Sequence, residues 1–429
     1  MLPVWIHHIK QSINLLGVTV LQLYLVLSLA CHKASQAPAP VMTGLDRVAA
    51  GEIEWFKGRR IGIITNHTGV TQDGRHIADV FHSIAEAKLV ALFGPEHGIR
   101  GQAEAGAKVA DTLDQKTGVP VYSLYGKTRK PIPQMLSGVT MLVFDIQDIG
   151  ARFYTYISTM SLAMEAAAEQ GIPFVVLDRP NPIGGHVVEG PVLDLRFRSF
   201  VGMHPIALRH GMTVGEVARM INEEGWLKNG HRADLKIVEV RGWRRDMVFS
   251  DYGKNWIAPS PNIPNFNAAL LYPGMGLLEA TNVSEGRGTR RPFETVGAPW
   301  MDAAAILNHL RDAPFPGLQV DTLTFTPMDL PGMATNPKYK GESCYGLRLR
   351  VTHPKTFRSV LWGFRLLTLL QANHPERFRM NQARLNRMAG QEWIYKAILQ
   401  GESAEQLQQR WQPDLQAFLQ IRQNYLIYP

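Results

Sequence analysis

Between residues 60 and 178, apolar residues fall in short unbroken runs, separated by stretches where they recur every third or fourth position. The runs 60–65 (RIGIIT), 88–93 (KLVALF), 141–145 (MLVFD) and 174–178 (FVVLD) are rich in Val, Ile, Leu and Phe and end at turn residues. This pattern predicts four buried strands. Between the first two, Ile77, Val80, Phe81 and Ile84 are spaced i, i+3, i+4, i+7, the stripe of one helix face. Between the last two, 158–170 is built of strong helix formers and stops at Gly171, a residue suited to a helix C-terminal cap. Strand, helix and strand in succession require parallel pairing, so the predicted fold class is α/β with a doubly wound, mostly parallel sheet.

Further along, a helix is expected near 213–224 and a strand near 235–240. The Pro/Asn/Gly-rich stretch that follows (APSPNIPNF, then LYPGMGLLEATNVSEGRGTRRPFE) reads as a long loop, and its length points to function. Beyond Trp300 the pattern changes. The segments 322–326 and 345–352 read as strands with alternating exposure, and 357–372, 390–399 and 404–425 as helices, the last opening with a Ser403/Gln406 capping box. A second, smaller α+β C-terminal domain is expected, with a boundary near 295–310, dividing the body into 44–300 and 301–429.

The amino terminus reads differently. Residues 1–10 carry one formal charge, Lys10, and an apolar run extends from Leu15 to Ala30. These are the parts of a secretory signal, and the run falls short of the ~20 residues that span a bilayer. Ser28, Leu29, Ala30 and Cys31 resemble a bacterial lipobox, with Ser28 where that pattern prefers Leu. The expectation is a lipoprotein signal peptide over 1–30, acylation of Cys31, and a flexible Pro/Ala-rich tether over 31–43. The protein would then be a periplasm-facing lipoprotein of the cell envelope. His32 after the cysteine, rather than Asp, points to the outer membrane by resemblance to such proteins. Cys344 would be the only free thiol, with no CxxC partner, and is expected to be inert.

Composition narrows the function. With 429 residues, 45% hydrophobic and 19% charged, the chain is an ordinary globular protein with room for two or three cores. Two cysteines exclude a disulfide scaffold. The net charge of +8 is scattered rather than blocked, which favours anionic ligands and argues against a nucleic-acid partner.

Open parallel sheets bind ligands outside the carboxyl ends of their strands. Here the first strand runs into Asn66 and His67, the second into Glu96, His97 and Arg100, the third into Asp145, Asp148 and Arg152, and the fourth into Asp178, Arg179 and Asn181. Any one of these could cap a helix or make a turn. All four together point to a site. Glu96, in a Gly/Pro-framed turn after an apolar strand, is the sharpest candidate for a general acid. Its bland alternative is a helix cap. Asp145 and Asp148, three apart, face the same cleft if the chain turns helical after the strand; with His67 or His97 they would also suit a metal. There is no HExxH, no His-x-His and no cysteine ligand set, so no metal and no cofactor are expected. Arg152, Tyr154 and Tyr156 offer a cation beside two phenols, which fits a sugar bearing a carboxylate; a core aromatic pair is the alternative. The long loop adds Asn282, Glu285, Arg287 and Thr289, with Glu285 either a second catalytic carboxylate or the structural partner of Arg287.

The motifs GIITNHTGV, LVALFGPEHGIRG, FDIQDIGARFYTYISTM, VLDRPNPIGG, EGPVLD, PIALRHGMTVGE, PSPNIP, YPGMGLLEATNVSEGRGTRRPFE and the ending IRQNYLIY resemble the exo-β-N-acetylmuramidases of peptidoglycan turnover, from about Gly44 to the carboxyl terminus. The resemblance implies a glycoside hydrolase releasing terminal N-acetylmuramic acid from the non-reducing end of β-1,4-linked, peptide-free cell-wall glycans. It also implies a Rossmann-like domain, a smaller C-terminal domain, a cleft between them, and no nucleotide. On its motifs Glu96 is the catalytic acid and Glu285 the carboxylate of NVSEGRGT; the second catalytic group is Glu285, Asp145, Asp148 or the substrate's own acetamido group. Arg152 or Arg287 would pair with the lactyl carboxylate, and Asn66, His67, His97, Arg100, Tyr154, Tyr156, Asn181, Asn282 and Thr289 complete the expected substrate contacts. Two other classes compete: a lipid-anchored peptidoglycan-binding protein without chemistry, and a metal-dependent cell-wall hydrolase.

Overall fold

The four apolar runs are β1 (Arg60–Thr65), β2 (Lys88–Gly94), β5 (Met141–Asp145) and β6 (Phe174–Leu177), joined by β3 (Thr112–Leu113), β4 (Pro120–Ser123) and β9 (Leu235–Val238). The sheet order is β3-β4-β2-β1-β5-β6-β9, parallel throughout except for the β3–β4 pair. The computed structural model of the protein describes residues 40–95, 98–100, 112–126, 128–253 and 255–429.

Unbroken apolar runs are what a sheet covered on both faces requires. Along each strand alternate residues enter different cores. Ile61, Ile63, Met141, Val143, Val175 and Leu177 pack on one face with Leu45, Val48, Ile77 and Phe81. Ile64, Leu142, Phe144, Phe174 and Val176 enter the larger core on the other, with Met160, Met164 and Val217. The helices Ile77–His82 and Tyr156–Gln170 form where the stripe and the helix formers predicted them, and Gly171 closes the second in the left-handed region at φ 65°. Thr213 caps Val214–Glu223 with a Thr213/Glu216 box.

The stretch expected to be a loop is in part helical. Asn265 caps a helix over Phe266–Met275 that runs into a tight turn over Gly276–Ala280. Residues Ala268 to Met275 are all buried, so the helix has no polar face and no periodic stripe to reveal it. A Cβ on Gly274 would lie 1.8 Å from the carbonyl oxygen of Ser359, so only glycine permits the close crossing with the helix Ser359–Asn373.

The C-terminal part is α+β. It holds an antiparallel sheet of β10 (Thr295–Ala298), β11 (Leu318–Phe325) and β12 (Cys344–Val351) in the order β10-β12-β11. Around it lie the helices Ala303–Asp312, Ser359–Asn373, Gln382–Ala389, Trp393–Leu399 and Ala404–Gln423. The Ser403/Gln406 capping box opens the last helix. Gly390, expected to begin a helix, ends Gln382–Ala389 instead, at φ 80°. One apolar core runs from Ile64 to Tyr425, and Met42–Pro429 forms one compact unit.

Residues 1–39, with the expected signal peptide and Cys31, lie outside the described residues. Among the described residues no helix is long and apolar enough to cross a membrane. Cys344 is buried, and burial pushes its thiol up to about 11, in keeping with an unreactive sulfur.

Candidate functional site

The strand order reverses between β1 and β5, the place where an open α/β sheet presents a crevice. There β1 delivers Asn66, His67 and Thr68, and β5 delivers Gln147 and Asp148. The two loops are stitched together. Asn66 Oδ1 accepts from Thr68 N (2.9 Å) and Thr68 Oγ1 (2.6 Å), and Thr68 Oγ1 accepts from Gln147 N (2.9 Å). Asn66 is fully buried, and its Nδ2 has no partner among the described residues. His67 Nε2 lies 2.7 Å from the carbonyl oxygen of Ala258, and the Tyr156 hydroxyl donates to that of Pro259 (3.0 Å), so the segment 255–265 lies against this edge.

Asp148 is held from one side only. Its Oδ2 accepts from Gly150 N (2.7 Å) and lies 3.6 Å from His210 Nε2, while Oδ1 is buried without a partner among the described residues. His210 Nδ1 accepts from Met212 N (3.2 Å), which fixes the imidazole proton on Nε2, facing the carboxylate. Gly150 adopts φ 78°, and a Cβ there would meet Asn181 Nδ2 at 2.6 Å. His210 comes from beyond β8 (Ala207–Arg209), which pairs antiparallel with β7 (Glu189–Val192). It stands in one of the quoted motifs but was not singled out, because no local pattern links it to Asp148.

An aromatic row leads from this edge to the C-terminal part. Tyr154 packs edge-on against Tyr156 (5.0 Å between centroids) and Tyr272 (5.7 Å), and Tyr272 against Phe293 (4.8 Å). Burial, then the neighbouring phenols and the Asp148 carboxylate, holds the Tyr154 phenol far above its ordinary value. Arg287 stacks over Phe293 at 5.4 Å.

At the end of the row lies a second charged cluster. Glu285 is buried, with Lys338 Nζ at 2.9 Å and Arg287 Nε at 3.3 Å. Arg287 also meets Glu279 (3.1 Å), which Arg384 holds from the helix Gln382–Ala389 (2.8 Å). Three cations face two carboxylates, an excess of one positive charge. Lys338 further donates to the carbonyls of Leu278 (3.0 Å) and Val283 (2.9 Å). The expected Glu285–Arg287 pair is present, within a larger network that also takes in Glu279, Lys338 and Arg384. Glu279 and Tyr272 fall in the same long motif, and Lys338 comes from a turn that carries no motif.

Several expected contacts serve the fold instead. Asp145, fully buried, makes a bidentate pair with Arg179 (Nη2 to Oδ2 2.9 Å), so it has no free face to offer a substrate. Arg152 is buried and donates to four backbone carbonyls: Pro191 (2.8 Å), Ile206 (2.8 Å), Met388 (3.0 Å) and Ala389 (2.8 Å). It ties β7 and β8 to the end of the helix Gln382–Ala389, and its remaining donor, Nε, is buried without a partner among the described residues rather than presented to solvent. Burial pushes its guanidinium down to about 9. Asn181 bonds Met212 O and Ile183 N, Asn282 bonds Arg377 O and Arg379 N, and Thr289 bonds Gly286 O and Arg291 N. These are turn and loop clasps. Arg100 is taken up by Asp114 (2.7 Å) and Asp79 (2.9 Å). Asp178, which accepts from Tyr428 Oη (2.6 Å), Thr213 Oγ1 (2.7 Å) and Gly215 N (2.8 Å), anchors the C-terminal Tyr428 to a helix start.

Glu96 and His97 lie outside the described residues. Their flanks are described: β2 carries Gly94 to the level of Thr65 and Asp145, and Gly98 N donates to Pro95 O (3.1 Å). Among the described residues no three His, Cys, Asp or Glu side chains converge as a metal site.

Residues 61–267 match the family described as Exo-beta-N-acetylmuramidase NamZ, N-terminal, and residues 270–428 its C-terminal counterpart. The chain is 45% identical over 389 residues to the peptidoglycan beta-N-acetylmuramidase NamZ of Bacillus subtilis (strain 168), covering 90% of this chain and 91% of that one. Crystal structures of two DUF1343 family proteins from Bacteroides fragilis NCTC 9343 are similar in fold. One has a TM-score of 0.83 at 35% identity and the other 0.74 at 34%, each covering 91% of this chain and 99% of its own. The chain belongs to the NamZ family of exo-β-N-acetylmuramidases, a family of glycoside hydrolases.

Proposed function

We propose that the protein removes terminal N-acetylmuramic acid from the non-reducing end of β-1,4-linked peptidoglycan glycan fragments, with Glu96 as general acid. The observation that carries the reading is the 45% identity, over 90% of the chain, to a named peptidoglycan beta-N-acetylmuramidase. In the step proposed, the Glu96 carboxyl gives its proton to the glycosidic oxygen as the bond from that oxygen to the muramyl anomeric carbon breaks. Water then supplies the hydroxyl that ends on the anomeric carbon, displacing the group bonded there after the first step, and its remaining proton restores the Glu96 carboxyl.

Asp148 is the preferred second group. Asp145 is consumed by Arg179 and Glu285 by Lys338 and Arg287, whereas Asp148 keeps Oδ1 unpartnered among the described residues and is held at Oδ2 by Gly150 N, with His210 Nε2 beside it at 3.6 Å. A carboxylate held this way suits the orientation of the substrate's 2-acetamido N–H, so that the acetamido oxygen attacks the anomeric carbon, as in hydrolases that lack a protein nucleophile. Arg287, rather than Arg152, is the cation proposed for the lactyl carboxylate. In the envelope, Cys31 would carry the lipid that holds the enzyme at a periplasm-facing membrane surface.

The test replaces Glu96 with Gln and follows a chromogenic muramic acid glycoside. Turnover is expected to fall by about 10²–10⁴. Near wild-type turnover would remove Glu96 from the acid role.

A further inference from the structure

An open cleft of about 500 Å³ lies between the turn Leu195–Phe197 and the helix Gln382–Ala389, lined by Arg196, Phe197, Arg198, Ala383, Asn386 and Arg387 among others. It is built in advance. Asp194 N donates to Gly390 O (2.9 Å) and Gln391 Nε2 to Val192 O (2.8 Å), joining the two walls, and Arg152 braces the helix end from behind.

Its polar groups are left over. Arg196 is matched by Asp194 (2.6 Å) and Glu392 (3.6 Å), but Arg198 and Arg387 have no carboxylate within ion-pair distance among the described residues. Asn386, only 6% exposed, has Oδ1 buried without a partner among the described residues. An orphan buried acceptor is costly unless something supplies a donor. Two unmatched guanidiniums ask for an anion, the orphan amide oxygen asks for a hydroxyl or N–H, and the Phe197 ring, over which the Arg196 guanidinium lies at 5.8 Å, adds an apolar wall. A bare phosphate or sulfate meets only the first demand. A sugar acid meets all three.

We infer that this cleft is a distal binding site for a second carboxylate-bearing amino sugar of the same glycan strand. The inference rests on the proposed muramidase function, because a peptidoglycan glycan repeats its muramyl carboxylate at every second sugar. The helix Gln382–Ala389 joins the two places. Arg384 on one flank holds Glu279 of the Glu279–Arg287–Glu285 chain, while Ala383, Asn386 and Arg387 on the next flank line the cleft. A strand with its end at Asp148 and Arg287 would run along this helix and be gripped again.

The test compares the full chain with R198A/R387A and R198K/R387K on two substrates, a muramic acid–glucosamine disaccharide and a peptide-free glycan of six or more sugars. In the alanine variant KM for the long glycan is expected to rise about tenfold, with disaccharide kcat and KM within about twofold of wild type. The lysine variant should recover part of the loss, and the wild-type preference for the long glycan should weaken with salt. Equal KM changes on both substrates, or none on the long one, overturn the distal site. Should the wild type hydrolyse neither substrate, the muramidase reading fails, and calorimetric binding of the long glycan then decides for the cleft. A loss of affinity in R198A/R387A upholds it; equal affinity, or no binding by the wild type, overturns it.

Discussion

Arg152 is a sharp point of difference between a binding residue and a structural one. In the variant Arg152→Met the side chain keeps most of its apolar length but loses every donor. The buried carbonyls of Pro191, Met388 and Ala389 then lose the partner that Arg152 supplied, while that of Ile206 keeps Leu193 N (3.3 Å). Each buried orphan costs about 1–3 kcal/mol. The low end applies, because the change also relieves the desolvation that pushes the guanidinium down to about 9. The sum is about 3 kcal/mol, a sizeable share of the roughly 5–15 kcal/mol that holds a typical protein folded. At an unfolding entropy of about 2 cal/mol/K per residue, a body of this size would melt about 4 °C lower. Urea denaturation followed by tryptophan fluorescence reads the loss as a lower midpoint at unchanged slope. Arg152→Lys, with three donors and no planar fork, should fall between. The opposite pattern would refute the structural role: a midpoint equal to wild type, with KM for a muramide raised and kcat kept, is what a ligand-binding arginine would give.

Three further outcomes are expected. Asp148→Asn can still accept from Gly150 N, so its melting temperature should match wild type while kcat on a muramic acid glycoside drops by about 10² or more; unchanged kcat would discharge Asp148. Asp178 is lifted by burial to about 7, against hydrogen bonds that pull it down, so between pH 4 and 7 the folded chain binds more protons than the unfolded one. Stability should therefore fall as pH rises through that window, by on the order of 3 kcal/mol from pH 5 to 7.5, and Asp178→Asn should flatten this slope in urea titrations at the two pH values. Cys31→Ser should shift the protein from the membrane fraction to the soluble envelope fraction, and mass spectrometry of the wild-type amino terminus should find a lipid on Cys31; an unlipidated wild type would end the anchor proposal.

How much of this was legible beforehand depended on how local the cause was. The strands β1, β2, β5 and β6 were readable because a sheet buried on both faces demands continuous apolar runs, and the caps at Ser403 and Gly171 because a cap is settled within four residues. The helix Phe266–Met275 was not, since a helix buried on every side shows no stripe, and its fit against Ser359–Asn373 depends on Gly274, a contact nearly a hundred positions away in the chain. The site divided the same way. That acids, amides and histidines follow successive strand ends is a property of the sequence. Which of them have free atoms is not.

Asp145 and Asp148 have the same side chain, three positions apart, and nothing local separates them. Arg179, arriving from the end of β6, takes up the first; His210, arriving from beyond β8, approaches the second and leaves one oxygen open. Arg152 likewise reads as a cation beside two phenols until the helix Gln382–Ala389 brings its carbonyls within reach. The sequence alone determined the fold class and the strand edge on which the chemistry collects, because apolar periodicity and turn chemistry act over a few residues. Only the tertiary structure decided which polar groups are spent on the fold and which are left to a substrate, because a hydrogen bond has one geometry and its partner can come from anywhere in the chain.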